Sequence, residues 1–357
     1  MIDELGARRA RVERLIAQGR RIADPRDPVG IEARARLPEP SRLSPEGVEL
    51  ALSEILETRP SPEELAALVA AAAPFARCHV VLSAHVCTAA LRALAVALAA
   101  APSVRVRPSR RDPVVAELLV RGLAGDEAFV GLGASIERVG DVRPEPGELL
   151  DVYGADDTIA HYRAAHPAAI LRGHGSGAGL AVVGAGVDLG RSAAGIAADV
   201  VPFDQRGCLS PRWVLVEGDA ARAETLAGRL DAELEALGRR VPRGPLDDPA
   251  QAEIAMYRAT AEAVGTYRQG RHHGVGLDPA PRALPLPPAA RVVHVVPASP
   301  SSLDVLLAPW TRLITAIGAD DHGPLSSALE ARCPGARRSP HGRMQRPPLD
   351  GPVDLRA

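Results

Sequence analysis

Beyond residue 65, short apolar runs alternate along the chain with longer segments of helical periodicity. The runs "HVVLSAHV" and "SVRVRPS" are typical of β-strands, whereas "CTAALRALAVALAAAP" and "DPVVAELLVRGLAG" are typical of helices. The same alternation continues through "LLDVYG", "ADDTIAHYRAAHP", "AAILRGHGSG" and "LAVVGAG". Strands that alternate with helices form parallel sheets. We therefore predict an open doubly wound α/β domain with a ligand crevice at the carboxyl ends of its strands.

A second α/β unit follows, with strands at "RWVLVEG" and "RVVHVVPAS" and a long helix at "DAARAETLAGRLDAELEALGRR". Near the start of the chain, a Pro-rich connector over residues 25–47 should hold no long helix. Two Ser-Pro-Glu motifs, at Ser44 and Ser61, should each cap a short helix. The predicted organisation is a helical lead-in (1–65), a dinucleotide-binding domain (66–200), a catalytic thiol domain (201–330) and an irregular tail (331–357).

The composition narrows the function classes. The formal net charge of −2 and the scattered arginines give no footprint for nucleic acid, so we expect no nucleic-acid partner. The sequence contains no lysine, which excludes Schiff-base and lysine-base mechanisms.

No apolar run is long enough to span a membrane, and the charged start lacks a signal-peptide core, so we expect a cytoplasmic protein. Its four cysteines should be reduced thiols. A homodimer is compatible with the predicted sheet edges and N-terminal helices.

Three motifs offer alternatives that we weigh as weaker. The segment "CHVVLSAHVC" brings together cysteine and histidine side chains, which are typical zinc ligands, but their spacing fits no common zinc site. Because side chains alternate along a strand, Cys78 and His79 should point to opposite faces of the sheet, so we predict no metal. The segment "AVVGAGVDLGRSAAG" is either a loose dinucleotide fingerprint or a plain tight turn. The loop "GHGSGAG" lacks the glycine that a serine nucleophile elbow needs two residues before the serine, because His174 occupies that place.

Cys208, in "DQRGCLSP", is the leading candidate for a nucleophile. The structural alternative is a buried thiol that fills a gap in the core, which is the commonest role of a free cysteine. Polar residues and Gly207 precede it and Pro211 follows, which predicts a loop that enters a strand. Nucleophiles sit on such loops of α/β scaffolds, and the charge of Arg206 could lower the pKa of the thiol. These residues alone leave the two interpretations about equally supported.

The segment "DQRGCLSP" resembles the active-site cysteine motif of the bacterial-luminescence (LuxC-like) acyl-CoA reductases, a branch of the aldehyde dehydrogenase superfamily. Other segments resemble that family in the same order, from "VLSAHVCTAALRALAVALAAAPSVRVRPSRRDP" through "DVYGADDTIAHY" to "LRGHGSGAGLAVV". The similarity covers about residues 40–220 well and the remainder thinly. It implies an aldehyde-dehydrogenase-like fold with a nicotinamide domain and a catalytic thiol domain.

The resemblance also assigns site residues. His85 falls where the superfamily has its oxyanion asparagine, and His174 where it has its general-base glutamate. An imidazole N–H can still donate to an oxyanion, and a base is dispensable if hydride rather than water attacks the acyl-enzyme. The implied cofactor contacts are Arg107, Pro108, Ser109, Gly154 and Gly175.

The function that the resemblance implies is reduction of an acyl-CoA thioester to the aldehyde by NADPH or NADH, through a covalent thioester on Cys208. Arg107 in place of the family's lysine favours NADPH, because a guanidinium can bind a 2′-phosphate. We expect the thiol to face the cofactor across a cleft between the domains. Two alternatives remain: a catalytically silent homologue that binds a nucleotide or a partner, favoured by the short chain and the two histidines, and an enzyme of aldehyde oxidation or acyl-phosphate reduction.

Overall fold

The computed structural model describes residues 4–356, and the chain divides into two compact units. The first unit runs to Ser176 and also takes Pro348–Pro352, whereas the second comprises Gly177–Pro347 and Val353–Arg356. Each unit contains one sheet covered by helices, so the predicted α/β class is confirmed. No helix within the described range is both long enough and apolar enough to cross a membrane.

The first unit begins with helices whose ends follow from local sequence signals. Ser44 and Ser61 accept hydrogen bonds from the backbone N–H groups of Gly47 and Glu64, which confirms both predicted caps. In the Pro-rich connector the longest helix has nine residues and begins at Pro28 behind the cap Asp27. These elements are α1 (Glu4–Ala23), α2 (Pro28–Arg36), α3 (Pro38–Ser41), α4 (Pro45–Leu50), a π-helical turn (Ala51–Ile55) and α5 (Pro62–Ala71).

The sheet of the first unit is entirely parallel, with strand order β3-β2-β1-β4-β5. Its strands are β1 (Arg77–Val81), β2 (Ser103–Arg107), β3 (Ser135–Arg138), β4 (Leu149–Tyr153) and β5 (Ile170–His174). Its helices are α6 (Ala89–Ala100), α7 (Val114–Ala124), α8 (Glu127–Gly131) and α9 (Asp156–Ala165). The chain moves outward from β1 to β3 and then returns beside β1 with β4. The order therefore reverses between β1 and β4, where open α/β sheets form their ligand crevice.

The sheet of the second unit has seven strands in the order β12-β11-β6-β7-β10-β9-β8, of which only β8 pairs in antiparallel fashion. Its strands are β6 (Ala178–Val183), β7 (Pro211–Glu217), β8 (Thr266–Gln269), β9 (Gly274–Leu277), β10 (Val292–Ala298), β11 (Ile314–Ala319) and β12 (Arg337–Ser339). Its helices are α10 (Leu189–Val200), α11 (Ala220–Arg240), α12 (Asp248–Val264), α13 (Leu303–Leu307) and α14 (Pro324–Arg332), with 3-10 turns at Pro202–Gln205 and Pro300–Ser302.

The boundary between the units differs from the sequence-based division near residue 200. Residues 178–200 belong to the second unit, because β6 pairs with β7 on one side and β11 on the other. Every residue of β6 is buried, so its pattern identifies a central parallel strand without telling which sheet it joins. The pairing partners β7 and β11 lie further along the chain, and the sequence pattern does not encode that choice.

The tail contains β12 and no further helix or strand after it within the described residues, yet it is firmly held. Asp199 on α10 is only 1 % exposed, and its carboxylate accepts the backbone N–H groups of Gly342 (2.7 Å) and Met344 (2.8 Å). Asp320 accepts the backbone N–H of His341 (2.9 Å) in the same way. These carboxylates fix residues 341–344, which we call the C-terminal segment, and thereby seat Met344 in the core.

The buried Asp199 predicts a pH dependence of stability. Burial raises the pKa of its carboxyl to about 7, whereas its ordinary value is 3.8. A raised folded-state pKa means that the stabilising contribution is complete at low pH and is lost as pH rises toward 7. We expect the free energy of unfolding of the wild type, relative to Asp199→Asn, to fall by on the order of 2 kcal/mol between pH 5 and pH 8. Urea unfolding at several pH values measures this, and parallel curves for the two proteins would contradict it.

Candidate thiol site

Cys208 lies at the amino end of β7, on a loop that runs from the end of α10. This thiol loop comprises residues 202–210, and its Ser210 directly precedes the first residue of β7. The predicted loop before a strand is thus confirmed. Cys208 is half-buried, whereas the other three cysteines of the chain, Cys78, Cys87 and Cys333, are buried. Cys208 is therefore the most accessible thiol of the chain.

The thiol loop has an unusual backbone conformation. Phe203, Asp204 and Gln205 have positive φ angles of 54°, 51° and 64°, in the left-handed region that non-glycine residues rarely adopt. Each such residue costs about 1 kcal/mol or more. Three in succession persist only where surrounding contacts hold them in place.

Gln205 supplies the main contacts. Its side chain is fully buried, and its Nε2 donates to the carbonyl oxygens of Pro211 (2.7 Å) and Val292 (2.8 Å). Its Oε1 accepts the backbone N–H of Val292 at 2.7 Å. One amide thus ties the thiol loop to the first residues of two neighbouring strands, β7 and β10. Because amide hydrogen bonds are directional, this pairing fixes the path of the backbone that leads to Cys208.

Asp204 adds a buried ion pair to the same anchor. Its Oδ1 lies 2.7 Å from Nη2 of Arg291 and accepts a bond from Nε of the same guanidinium at 3.0 Å. Its Oδ2 accepts the backbone N–H of Gly244 at 3.1 Å. Arg291 itself has a positive φ of 64° and is 1 % exposed. Removing Asp204 would leave Arg291 buried without its counter-ion, whereas removing Arg291 would leave Asp204 with only the more distant Arg206.

The surroundings of Cys208 are mostly apolar. Its side chain packs against a cluster formed by Leu209, Ala316 and Met344. The Thr315 hydroxyl donates to the carbonyl oxygen of Cys208. A Cβ on Gly177 would lie only 3.1 Å from Cβ of Cys208, so a glycine at this position permits the close approach of the chain.

This packing decides the protonation state of the thiol. Burial, with a smaller contribution from the Asp354 carboxylate, raises the pKa of Cys208 from 9.0 to about 11. Arg356 and the backbone N–H of Cys208 oppose this shift with smaller effects. Arg206, which the sequence offered as an activating charge, instead lies 3.6 Å from Oδ2 of Asp204 and donates to the carbonyl of Phe203. The resting thiol is therefore neutral at pH 7.

The other site residues predicted from the sequence all lie in the first unit, at the carboxyl edge of its sheet. His85 is exposed on the bend after β1, and Arg107 ends β2, followed by Pro108 and Ser109. His174 ends β5 and is buried, with Gly175 next to it, and its carbonyl accepts the N–H of Gly154 at 3.1 Å. The structure thus brings these residues to one sheet edge, where a doubly wound fold binds its ligand.

The reversal between β1 and β4 carries features that suit a nucleotide. The buried hydroxyl of Tyr153, beside a cavity that has room for only about one water molecule, has no hydrogen-bond partner within the described residues. The ring of His174 stacks on Tyr153 with a centroid distance of 4.2 Å. Ala155, the N-cap of α9, forms no side-chain cap, and among the described residues Arg107 makes only a long 3.4 Å contact with the carbonyl of Gly140. An orphaned hydroxyl, a helix terminus without a side-chain cap and an available guanidinium fit a nicotinamide dinucleotide.

Within residues 4–356, no group of three or more His, Cys, Asp or Glu side chains is arranged to hold a metal ion. In the segment considered for zinc, His79 instead bonds Glu148 at 2.8 Å and Cys78 is fully buried on β1.

Sequence reasoning missed several residues that shape the thiol site. Gln205, Arg291 and Met344 hold or cover the loop, and the Asp354–Arg356 ion pair at 2.7 Å sets part of its electrostatics. The polar character of Asp204 and Gln205 was visible in the sequence. Their partners Arg291 and Val292 each lie 87 residues away, and no local pattern indicates such pairings.

A family model for the acyl-CoA reductases (LuxC) matches residues 54–318. This match covers well over half of the chain and includes the thiol loop. The chain belongs to the LuxC acyl-CoA reductase family. The predicted resemblance is thus confirmed, and LuxC membership supports reduction of an acyl-CoA to an aldehyde in general terms. No curated protein is significantly similar to this LuxC-family chain in sequence.

Solved structures similar to this LuxC-family protein include an oxidoreductase from Marinobacter aquaeolei (TM-score 0.68, 10% identity, covering 99% of this chain and 84% of that chain). Another is a propionaldehyde dehydrogenase from Rhodopseudomonas palustris with bound CoA and an acylated cysteine (TM-score 0.64, 13% identity, covering 96% of this chain and 84% of that chain). A third is an NAD-dependent benzaldehyde dehydrogenase from Corynebacterium glutamicum (TM-score 0.65, 15% identity, covering 95% of this chain and 82% of that chain). At such low identity these likenesses show the fold, which is aldehyde-dehydrogenase-like as predicted.

The anchoring of the thiol loop can be tested with Gln205→Ala. The variant loses three buried hydrogen bonds and leaves the N–H and C=O of Val292 without these partners. We expect the free energy of unfolding to fall by about 2–4 kcal/mol in urea titrations. The matched control is Gln251→Ala, since Gln251 is exposed and bonds only the carbonyl of Leu246 at 3.3 Å. Equal stabilities of the two variants would contradict the assigned role.

The raised pKa of Cys208 predicts slow alkylation of the resting protein. With a pKa of about 11, the thiolate fraction grows about tenfold with each pH unit up to roughly pH 10. The rate constant for modification by iodoacetamide should follow this slope, and Cys208→Ser should remove the reaction. Peptide mass mapping identifies the modified residue. A rate that levels off below pH 8 would show an activated thiolate instead.

Proposed function

We propose that this protein reduces an acyl-CoA thioester to the aldehyde through a covalent thioester on Cys208, with NADPH as the preferred reductant. The observation that carries the proposal is the placement of Cys208. A strained loop anchored by a buried amide and a buried ion pair presents the most accessible thiol of the chain at a strand end. Such conformational cost in the residues just before a cysteine is typical of a functional loop rather than of core packing.

In the first step, Sγ of Cys208 attacks the acyl carbonyl carbon and the bond to the sulfur of coenzyme A breaks. Because the resting thiol is neutral and the thiolate is the attacking form, the thiol must first lose its proton to solvent. The departing coenzyme A thiolate then takes up a proton, so the exchange releases coenzyme A as its thiol with no net change in protons.

The developing oxyanion requires hydrogen-bond donors. We assign the backbone N–H of Cys208 to this role, since it already lies beside its own Sγ and lowers the pKa of that sulfur. His85 is the second proposed donor, through an imidazole N–H, because its exposed position after β1 leaves the ring accessible to substrate. Donors of this kind act where charge appears in the transition state.

When bound, the reduced nicotinamide supplies the hydride that takes the enzyme thioester to the aldehyde level. Arg107, Pro108, Ser109, Gly154 and Gly175 are the residues proposed to hold the cofactor. The guanidinium of Arg107 supports NADPH over NADH, because it can pair with a 2′-phosphate in bidentate fashion.

Collapse of the reduced adduct on Cys208 then breaks the carbon–sulfur bond and releases the aldehyde. His174 is proposed to restrict water at this stage rather than activate it. Its ring is buried and stacked on Tyr153, and burial of that kind suits a wall more than a base. Exclusion of water protects the thioester from hydrolysis to the acid.

The acylated cysteine in the Rhodopseudomonas palustris propionaldehyde dehydrogenase supports the same intermediate here. The test uses wild type, Cys208→Ser and the control Cys333→Ser, whose thiol is buried. Each protein is mixed with acetyl-, octanoyl- or tetradecanoyl-CoA without cofactor. For the wild type and the control we expect an acyl mass increment on Cys208 and an equal amount of free coenzyme A thiol.

With NADPH added, aldehyde should form and NADPH absorbance should fall in equal amounts. Cys208→Ser should lose the rate by on the order of a thousandfold or more, as expected when a covalent nucleophile is removed. Equal NADPH consumption by Cys208→Ser and wild type would exclude the thioester. A Cys208 that no acyl-CoA modifies would favour the catalytically silent alternative.

A further inference from the structure

The second unit contains a cavity of about 120 Å³ beside its edge strand β8. Its walls come from the connection between α11 and α12, from the first turns of α12, from β8 and from the start of β10. Sites for drug-sized ligands begin at about 300 Å³, so this cavity suits only a small molecule.

Arg243 brings an incompletely paired positive charge to this cavity. Its Nη1 donates to the carbonyl oxygen of Ala290 at 2.9 Å, whereas its Nε and Nη2 form no hydrogen bond or ion pair with any residue between 4 and 356. Burial lowers the pKa of this guanidinium, which means that its surroundings disfavour the charged form. A bound anion would remove that penalty.

The neighbouring charges do not neutralise Arg243. The carboxylate that raises its pKa against the effect of burial is that of Asp204. Asp204 already lies 2.7 Å from Nη2 of Arg291 and 3.6 Å from Nη2 of Arg206. Arg291 is itself buried, and the charge of Arg243 lowers its pKa. A single carboxylate therefore serves several guanidinium groups, and positive charge remains in excess beside the cavity.

No acidic side chain is among the described residues that line the cavity. The histidine that lines it, His273, is 1 % exposed and its Nε2 pairs with Asp231 at 2.9 Å. Glu235 lies 3.9 Å from its Nδ1 and also pairs with Arg239. Asp231 and Glu235 are not among the charges that shift the pKa of Arg243. The side of the cavity that Arg243 forms therefore selects a negative ligand.

Tyr267 offers a hydrogen-bond donor to the same space. Its hydroxyl oxygen is buried and has no hydrogen-bond partner among the described residues. A Cβ on Gly274 would lie 1.9 Å from this oxygen, so the glycine leaves the room that the hydroxyl occupies. The ring packs edge-to-face on Tyr257 with a centroid distance of 6.1 Å, which fixes its orientation. A buried hydroxyl without a partner costs free energy, and a bound acceptor would recover it.

Arg243 and Tyr267 are close enough to hold one ligand. Burial raises the pKa of Tyr267, and the nearby charge of Arg243 opposes that shift. Two guanidinium N–H groups and one phenol O–H match the acceptor positions of a carboxylate.

The remaining lining is apolar or exposed. Leu246, Ile254 and Val292 present hydrocarbon, and Ile254 packs against the hydrophobic cluster that contains Val292. Gln251 and Gln269 also line the cavity, but both are exposed and donate to backbone carbonyls. A strongly hydrated ion would lose water beside the hydrocarbon without compensation, whereas a short aliphatic chain is stabilised there.

We propose that this cavity binds a small aliphatic monocarboxylate, with Arg243 and Tyr267 as ligands of the carboxylate and Leu246, Ile254 and Val292 around the hydrocarbon chain. The site contains no residue of the thiol loop and is independent of the proposed acyl reduction. A carboxylate balances the charge of Arg243, whereas a neutral amide of the same shape does not.

Ligand-observed NMR titration tests the proposal with butyrate, butyramide and inorganic phosphate, in a buffer free of other carboxylates and phosphates. We expect butyrate to bind at least tenfold more tightly than butyramide, which lacks the charge, and than phosphate, which lacks the hydrocarbon. Arg243→Gln and Tyr267→Phe should each weaken butyrate binding by at least about tenfold, the loss typical of a hydrogen bond to a charged group. The matched control is Arg240→Gln, which removes the same charge from an exposed position at the end of α11.

Tyr267→Phe also distinguishes a ligand contact from a structural one. The variant removes a buried hydroxyl that has no partner among the described residues. Without ligand, the midpoint of urea unfolding should therefore not fall below that of the wild type. A lower midpoint would show that the protein itself uses the hydroxyl, and would count against the proposal.

Butyrate binding that depends on Arg243 and Tyr267 and exceeds the binding of butyramide and phosphate supports the proposal. Absence of butyrate binding, equal binding of butyramide or phosphate, or binding that Arg243→Gln leaves unchanged overturns it. Cys208→Ser should bind butyrate as the wild type does, whether or not Cys208 proves to form a thioester. Loss of butyrate binding in Cys208→Ser would place the ligand at the thiol and also overturn the proposal.

Discussion

The side-chain amide of Gln205 is the contact on which the position of Cys208 depends. The amide uses both its donor and its acceptor ends to join the thiol loop to β7 and β10 at once. Without it, three successive residues with positive φ would relax toward ordinary turn geometry, and the path into Cys208 would change. The Asp204–Arg291 pair reinforces the same junction from a buried position. The contacts that tie the thiol loop to the starts of β7 and β10 therefore also position the thiol.

Both sheets place their functional candidates by the same rule applied at different edges. In the first unit, His85, Arg107, Gly154 and His174 all follow or end strands at the carboxyl edge. In the second unit, the amino edge carries the thiol. A parallel sheet aligns its strand ends, so residues far apart in sequence converge without any long loop.

Local signals in the sequence predicted much of the architecture. Ser44 and Ser61 predicted the starts of their helices, and the alternation of strands and helices predicted the α/β class. The segment "DQRGCLSP" predicted a thiol on a loop before a strand. The features that the sequence did not predict depend on contacts between residues far apart in the chain. The joining of β6 to β7 and β11, and the pairing of Asp204 with Arg291, arise from contacts between segments that no periodicity connects. The effect of Arg206 on Cys208 failed for the same reason, because Asp204 takes up its charge.

The packing that fixes Cys208 also keeps it protonated. Leu209, Ala316 and Met344 remove water from the sulfur, and removal of water penalises the thiolate more than the thiol. A neutral thiol is a poor target for oxidants and alkylating agents, so the resting protein is protected from adventitious modification.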